Sequence, residues 1–280
     1  MKVFLTGVTG QLGQEVKKVC LAAGHEVIAP TRAELDLQDK EALKQAVMNA
    51  APDAILHCAA YTAVDQAEEE PKVARAVNAE STKVLAECAD RLGAKILYVS
   101  TDYVFDGGLD LPYDNVDECH PLNVYGETKY LGELVVEACC DRFFIVRTSW
   151  VFSAHGNNFV KTILRLADTK EEISVVTDQI GSPTYAPDLA VLLLEMIQTE
   201  AYGFYHATNE GQCSFFEFAE EIVRQAGKQL RILPISSDAY GARAARPHNS
   251  VLAKDSLDRS GFHRLPDWKD ALARCLKELQ

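Results

Sequence analysis

The sequence predicts an α/β fold, a doubly wound parallel sheet followed by a smaller, mixed α/β part. Three observations predict it. Short apolar runs alternate with helix-length stretches through the first half. Gly7, Gly10 and Gly13 sit at the first junction between such a run and a helix. A hydrophobic content of 48% over 280 residues supplies a sizeable core. Strand–helix alternation requires a parallel sheet covered on both faces, with right-handed crossovers.

In chain order, residues 2–6 read as a first strand, 11–23 as a helix and 26–29 as a second strand. Residues 39–49 read as a helix, 54–58 as a third strand and 71–92 as one long helix, with Pro71 suited to its first turn. A β-rich run at 95–100, a helix at 121–140 and a strand at 143–147 complete a dinucleotide-binding part, residues 1–150. Beyond Trp150 the rhythm loosens. Helices are expected at 157–167, 186–198, from Ser214 as a cap to about 226, and at 267–279. Strands are expected at 172–177, 203–207 and 231–234. Residues 151–280 should therefore be mainly substrate-binding, with some chain returning to the first core. The segment 107–120, with Gly107-Gly108, Pro112 and several acids, reads as a flap over the site.

Charge and cysteine usage narrow the class. A net charge of −13 argues against a broad nucleic-acid surface, which needs a basic excess. It leaves room for a phosphorylated small ligand, held by local N–H groups and a few cations. No apolar stretch approaches a membrane span, and the N-terminal run is too short for a signal peptide. Eight cysteines without CxxC spacing read as reduced thiols, so a cytoplasmic location is expected.

The glycine spacing is GxxGxxG, after a strand and opening a helix, which makes it a Rossmann-type dinucleotide fingerprint. Side chains there would block backbone N–H groups from the pyrophosphate. At the end of strand two an acid would bond the adenosine ribose and repel a 2′-phosphate. Here the chain reads Ala29-Pro30-Thr31-Arg32. Arginine suits a phosphate, which favours NADPH, while Asp36 close by keeps NADH open.

Tyr125 and Lys129 are four apart on a predicted helix and share a face. A YxxxK spacing alone is weak among ten tyrosines. Thr101 lifts it, just past the end of a predicted parallel strand, where ligands bind in open α/β sheets. A hydroxyl there can donate to a substrate carbonyl beside the tyrosine. A nearby positive charge should lower the phenol pKa, so Lys129 and the oxidised nicotinamide ring are expected together to activate Tyr125.

These residues resemble the short-chain dehydrogenase/reductase superfamily in its extended, sugar-nucleotide branch. Longer stretches are similar to its dTDP-4-dehydrorhamnose reductase family: 59–65 (AAYTAVD), 100–105 (STDYVF), 123–126 (NVYG), 147–150 (RTSW), 156–159 (GNNF), 178–184 (DQIGSPT) and 245–247 (ARP). The resemblance spans almost the whole chain. It implies reduction of the 4-keto group of dTDP-4-dehydro-L-rhamnose, with Tyr125 as proton donor, Lys129 as its partner and Thr101 positioning the carbonyl. It also implies that Gln11, Leu12, Thr31, Arg32, Asp36, Leu37, Ala59, Ala60, Tyr61, Thr62 and Val99 join the glycines around the cofactor. Val64, Asp102, Tyr103 and Trp150 fall where the family meets the sugar nucleotide, although Trp150 reads equally well as a core aromatic, and Arg246 could pair with the diphosphate or cap a surface loop. Some relatives hold Mg2+ between carboxylates at a dimer contact. Glu15 fits such a role, but Pro187 stands where another carboxylate is wanted, so Mg2+ stays open and a monomer or weak homodimer is implied.

Two rival readings are discriminable. A dehydratase or epimerase of the same branch recycles its cofactor, and a dehydratase needs an acid–base pair beside the threonine. Here Asp102 is followed by Tyr103, not a glutamate. A non-catalytic NADP-binding subunit would have no use for an intact Thr101, Tyr125 and Lys129.

Overall fold

The computed structural model describes residues 1–280. Its centre is a six-stranded parallel sheet in the order Gly203–His206, Phe143–Thr148, Lys95–Thr101, Ala54–His57, Lys2–Thr6, Glu26–Ile28. The interior strands are apolar on both faces, as a doubly covered sheet demands; Ala54–His57 is buried throughout. One face packs against helices Gln11–Ala22 and Ala186–Ile197 through Val16, Cys20, Leu189 and Leu193. The other packs against Lys40–Ala50, Ser81–Leu92 and Val124–Cys139 through Leu43, Leu85 and Val136. A separate aromatic core lies in the second half, around Phe152, Phe218, Tyr185 and Trp268.

Topology locates the site. The chain leaves Lys2–Thr6 to one side for Glu26–Ile28 and then crosses to Ala54–His57 on the other. Between the carboxyl ends of Lys2–Thr6 and Ala54–His57 lies the switch-point crevice where such sheets bind ligands. The 203–207 strand is the sixth member of this sheet, beside Phe143–Thr148. Its position follows from long-range pairing, which local periodicity does not encode.

Several expectations are corrected. The 71–92 helix is interrupted by a π segment, Ala76–Glu80, between Pro71–Arg75 and Ser81–Leu92. Within it the Asn78 amide accepts from the Tyr61 N–H at 2.8 Å and donates to Thr128 Oγ1 at 3.0 Å. The 121–140 helix begins only at Val124, because the Asn123 side chain caps it by accepting from Gly126 N–H. Asn158 likewise delays the next helix to Phe159. Short helices at Val64–Ala67, Ser237–Tyr240 and Asp255–Arg259 escaped notice, being too brief to show a period.

The 107–120 segment does not cover the cleft in this structure, and none of its residues lines it. Tyr113 N–H donates to Val251 O and Ala253 N–H to Tyr113 O, each at 2.8 Å, while Asn249 Nδ2 holds Leu109 O at 2.7 Å. These bonds tie the segment down along residues 247–253.

Beneath the sheet's active end, Arg147 grips Glu133 through two bonds, Nε to Oε1 at 2.9 Å and Nη2 to Oε2 at 2.7 Å. Both side chains are almost wholly buried, at 4% and 1% exposure. Removing one charge strands the other, so Glu133→Gln should destabilise the fold by about 3–5 kcal/mol. Urea unfolding checks this.

Candidate active site

A cleft of about 690 Å³ opens along the carboxyl ends of the sheet strands. Gly7 begins its floor with φ +76°, and a Cβ there would lie 2.6 Å from Ala59 N. A Cβ on Gly13 would overlap the Gly7 carbonyl. Only glycine therefore lets the first turn close against the third strand. Helix Gln11–Ala22 starts there with Gly10 as N-cap and no side-chain cap, so its first N–H groups remain free for an anion. Such a cradle fits a dinucleotide pyrophosphate.

At the far end the Thr31 N–H and hydroxyl both donate to Glu34 Oε2 at 2.8 Å. Sequence reasoning passed over Glu34, although an i to i+3 Thr–Glu pair signals such a turn. Arg32 and Asp36 line the cleft and are exposed, and Arg32 makes no ion pair within the chain.

Thr101 is the last residue of its strand rather than just past it. Its hydroxyl donates to Asp102 Oδ1 at 3.0 Å and accepts from Tyr103 N–H at 3.2 Å. The Asn123-capped helix brings up Tyr125 and, one turn on, Lys129. Gly126 lets that helix touch the Tyr103 carbonyl, where a Cβ would overlap. Tyr103 and Tyr125 meet edge-to-face, 5.9 Å between centroids. Lys129 is 1% exposed, with Nζ donating to Val99 O at 2.7 Å and lying 3.9 Å from the Tyr98 ring centroid.

In the free protein the Tyr125 phenol is not lowered. Burial pushes its phenol up to about 12, against the pull of the neighbouring Thr101 hydroxyl, with Asp102 adding to the rise. Burial also brings Lys129 down to about 7, opposed by Glu133. In the free protein desolvation therefore outweighs any ammonium effect on the phenol. A protonated phenol is the form a ketone reduction requires at the start.

Glycines 7, 10 and 13, Gln11, Leu12, Thr31, Arg32, Asp36, Leu37, Ala59, Ala60, Tyr61, Thr62, Val64, Val99, Thr101, Asp102, Tyr103, Tyr125, Lys129 and Trp150 all line this one cleft. Arg246 does not. Its guanidinium is held by Asp65 at 2.8 and 3.2 Å and by Ala244 O, beside Tyr103. Residues from the second half also reach the cleft: Gly156, Asn157 and Phe215. The 156–158 stretch meets the cradle directly, since Asn158 Nδ2 donates to Gln11 Oε1 at 2.8 Å. Phe215, the first residue after the Ser214 cap, carried no sequence signal beyond that cap. Trp150 stacks on it, centroids 3.6 Å apart and planes at 16°. Trp150 has φ +48°, a left-handed conformation costing about 1–3 kcal/mol in a residue of this kind.

The family described as "RmlD substrate binding domain" matches residues 1–280. A dTDP-4-dehydrorhamnose reductase of Burkholderia thailandensis is 40% identical over 296 aligned positions, covering 100% of this chain and 99% of its own. The chain belongs to the dTDP-4-dehydrorhamnose reductase family. The spore coat polysaccharide biosynthesis protein SpsK of Bacillus subtilis is 39% identical, covering 99% of this chain and 97% of its own. A crystal structure of the family's Bacillus anthracis member, in complex with NADP, superposes with TM-score 0.96 at 42% identity, covering 99% of both chains.

Mg2+ gains no support here. Glu15, His155 and Glu278 bring ligand atoms within 4.8 Å of one another. Mg2+ demands oxygen ligands in octahedral array. This set contains an imidazole, whose Nε2 pairs with Glu15 Oε1 at 3.2 Å, and Tyr185 donates to Glu278 at 2.7 Å. Pro187 offers no ligand. No helix is long and apolar enough to cross a membrane.

Proposed function

We propose that this chain reduces the 4-keto group of dTDP-4-dehydro-L-rhamnose to the alcohol of dTDP-L-rhamnose, using NADPH. The observation that carries this reading is the convergence of Thr101, Tyr125 and Lys129 on a cleft floored by the glycine cradle. The names of the full-length relatives supply the substrate. A reduced nicotinamide, when bound, supplies the hydride. The Tyr125 hydroxyl hydrogen-bonds the carbonyl oxygen, where negative charge grows, and the Thr101 hydroxyl joins it by turning its one proton away from Asp102 Oδ1. As C4 gains its hydrogen, the Tyr125 O–H bond breaks and its proton passes to that oxygen. Lys129, on the same helix face, offsets the phenolate left behind. Its drop to about 7 makes that assistance complete only below neutrality.

The exposed, unpaired Arg32 supports NADPH over NADH by offering a guanidinium for a 2′-phosphate. Residues 1–150 form the cofactor part and 151–280 the main substrate part, with the 203–206 strand returning to the sheet. Eight free cysteines support a reducing compartment, the cytoplasm, and the chain acts as a monomer or weak homodimer. The test is to incubate the chain with NADPH and freshly made dTDP-4-dehydro-L-rhamnose. One NADPH should disappear per sugar, faster than NADH in parallel. Recycling without net consumption would instead favour a dehydratase or epimerase, and binding without turnover a regulatory subunit.

Asp102 gives a pH prediction. Burial pushes its carboxyl up to about 7, opposed by the neighbouring Ser250 and Thr101 hydroxyls. Between the unfolded value, about 3.9, and about 7 the folded state keeps a proton the unfolded chain has lost. Its contribution to stability is full below that window and is lost as pH rises through it. Asp102→Asn removes the burden of a buried charge. Its unfolding free energy, relative to the parent, should rise more at about pH 8 than at about pH 4. Denaturant titrations at both values check this.

A further inference from the structure

Trp150 is held in its strained conformation by a bracket built from two distant segments. Its carbonyl accepts from Thr184 N–H at 3.2 Å, and the preceding Ser149 hydroxyl donates to Ser182 O at 2.6 Å. Phe215 covers one face of the indole. Gly181 covers the other: a Cβ there would lie 2.7, 2.8 and 3.0 Å from Cε2, Cζ2 and Nε1. Cε2 is the nearest, so the glycine lies over the ring and not at its rim. Were both neighbours on one face, Phe215 atoms would stand closer to that Cβ than the indole does. Phe215 is itself braced edge-on by Phe159, 5.1 Å between centroids. With both faces covered, the indole offers the cleft its edge, and no group in the chain accepts from its Nε1–H.

The bracket stands at the end of the cleft away from the adenosine side. Strand Phe143–Thr148, which leads into Trp150, is four strand positions from Glu26–Ile28, which leads to Thr31 and Arg32. That is roughly 19 Å at the usual strand spacing. We propose that Phe215 and Gly181 are positioning residues that fix the Trp150 edge, and that this bracket sets affinity for the sugar nucleotide and not for the nicotinamide nucleotide. The inference rests on the function proposed above.

The chain has two tryptophans, so Trp268→Phe leaves Trp150 as the only indole emitter. In that parent, dTDP titration should change the emission. Added Phe215→Ala or Gly181→Ala should shift the emission of the free protein and weaken the dTDP response. Both should raise KM for the sugar nucleotide about 10–100-fold, as expected for a misplaced contact, with KM for NADPH and kcat nearly unchanged. Phe215→Leu, which retains bulk without the stacking plane, should fall between. Melting curves and NADPH titration verify that each variant is folded, and the half-buried position of Phe215 makes its truncation tolerable. If the parent turns over and folded variants keep its sugar-nucleotide KM and emission, the bracket is refuted while the function stands. If the parent neither oxidises NADPH with the sugar nucleotide nor binds dTDP, the function fails and the inference with it.

Discussion

Replacing Tyr125 by phenylalanine should lower turnover about 10³-fold, within the range for loss of a general acid, about 4 kcal/mol of barrier. The substitution removes one oxygen. The ring keeps its edge-to-face contact with Tyr103, and the Asn123 cap upstream is untouched. NADPH affinity should therefore hold to within about threefold, and loss should appear in kcat rather than KM. The phenol's rise to about 12 sharpens the expectation. It stays protonated across the working range and is ready to donate at neutrality. Turnover should fall on the alkaline side as Lys129 loses its charge near 7, well before the phenol titrates. Stopped-flow turnover and cofactor titration of the variant check both halves. Unchanged turnover would remove Tyr125 from the mechanism.

Gly13→Ala is the second large effect. The new methyl would overlap the Gly7 carbonyl, and neither atom sits on a flexible side chain that can step aside. Gly7 also lies against the Ala59 backbone, where not even a Cβ fits, so it has little room to shift. The turn must open, which withdraws the free N–H groups of the first helical turn from a bound pyrophosphate. Loss of one or two charge-assisted hydrogen bonds corresponds to on the order of 3 kcal/mol, so NADPH affinity should drop about 100-fold. Overpacking should also cost about 1–3 kcal/mol of stability. Calorimetric titration and thermal melting separate the two. The two variants should thus fail differently, Tyr125→Phe in chemistry and Gly13→Ala in cofactor binding.

The first half of the fold was legible because its signals are local. Alternating apolar runs, the Gly7–Gly13 turn and the Asn, Ser and Pro residues at helix starts each act within a few neighbours. Most of the cleft residues followed from the same stretches, since a parallel sheet carries the ends of its strands to one side. What escaped notice depends on contacts distant in sequence. The pairing of Arg246 with Asp65, far away in the chain, leaves no local pattern. The 107–120 loop reads as free until residues 247–253 bind it. Phe215 gains its place only because Gly181 and Trp150 meet it across the two halves. The upward shift of the phenol in the free protein is hidden from the sequence for a related reason. Spacing reveals that Lys129 is near Tyr125, whereas desolvation depends on everything that surrounds them.

The most direct measurement uses NADPH deuterated at the transferring carbon, with dTDP-4-dehydro-L-rhamnose as acceptor and proton NMR of the product. The account predicts one deuterium at C4 of the rhamnosyl ring, one cofactor oxidised per product formed, and almost no product with Tyr125→Phe. Deuterium at any other carbon, or product formed without net cofactor oxidation, would contradict it.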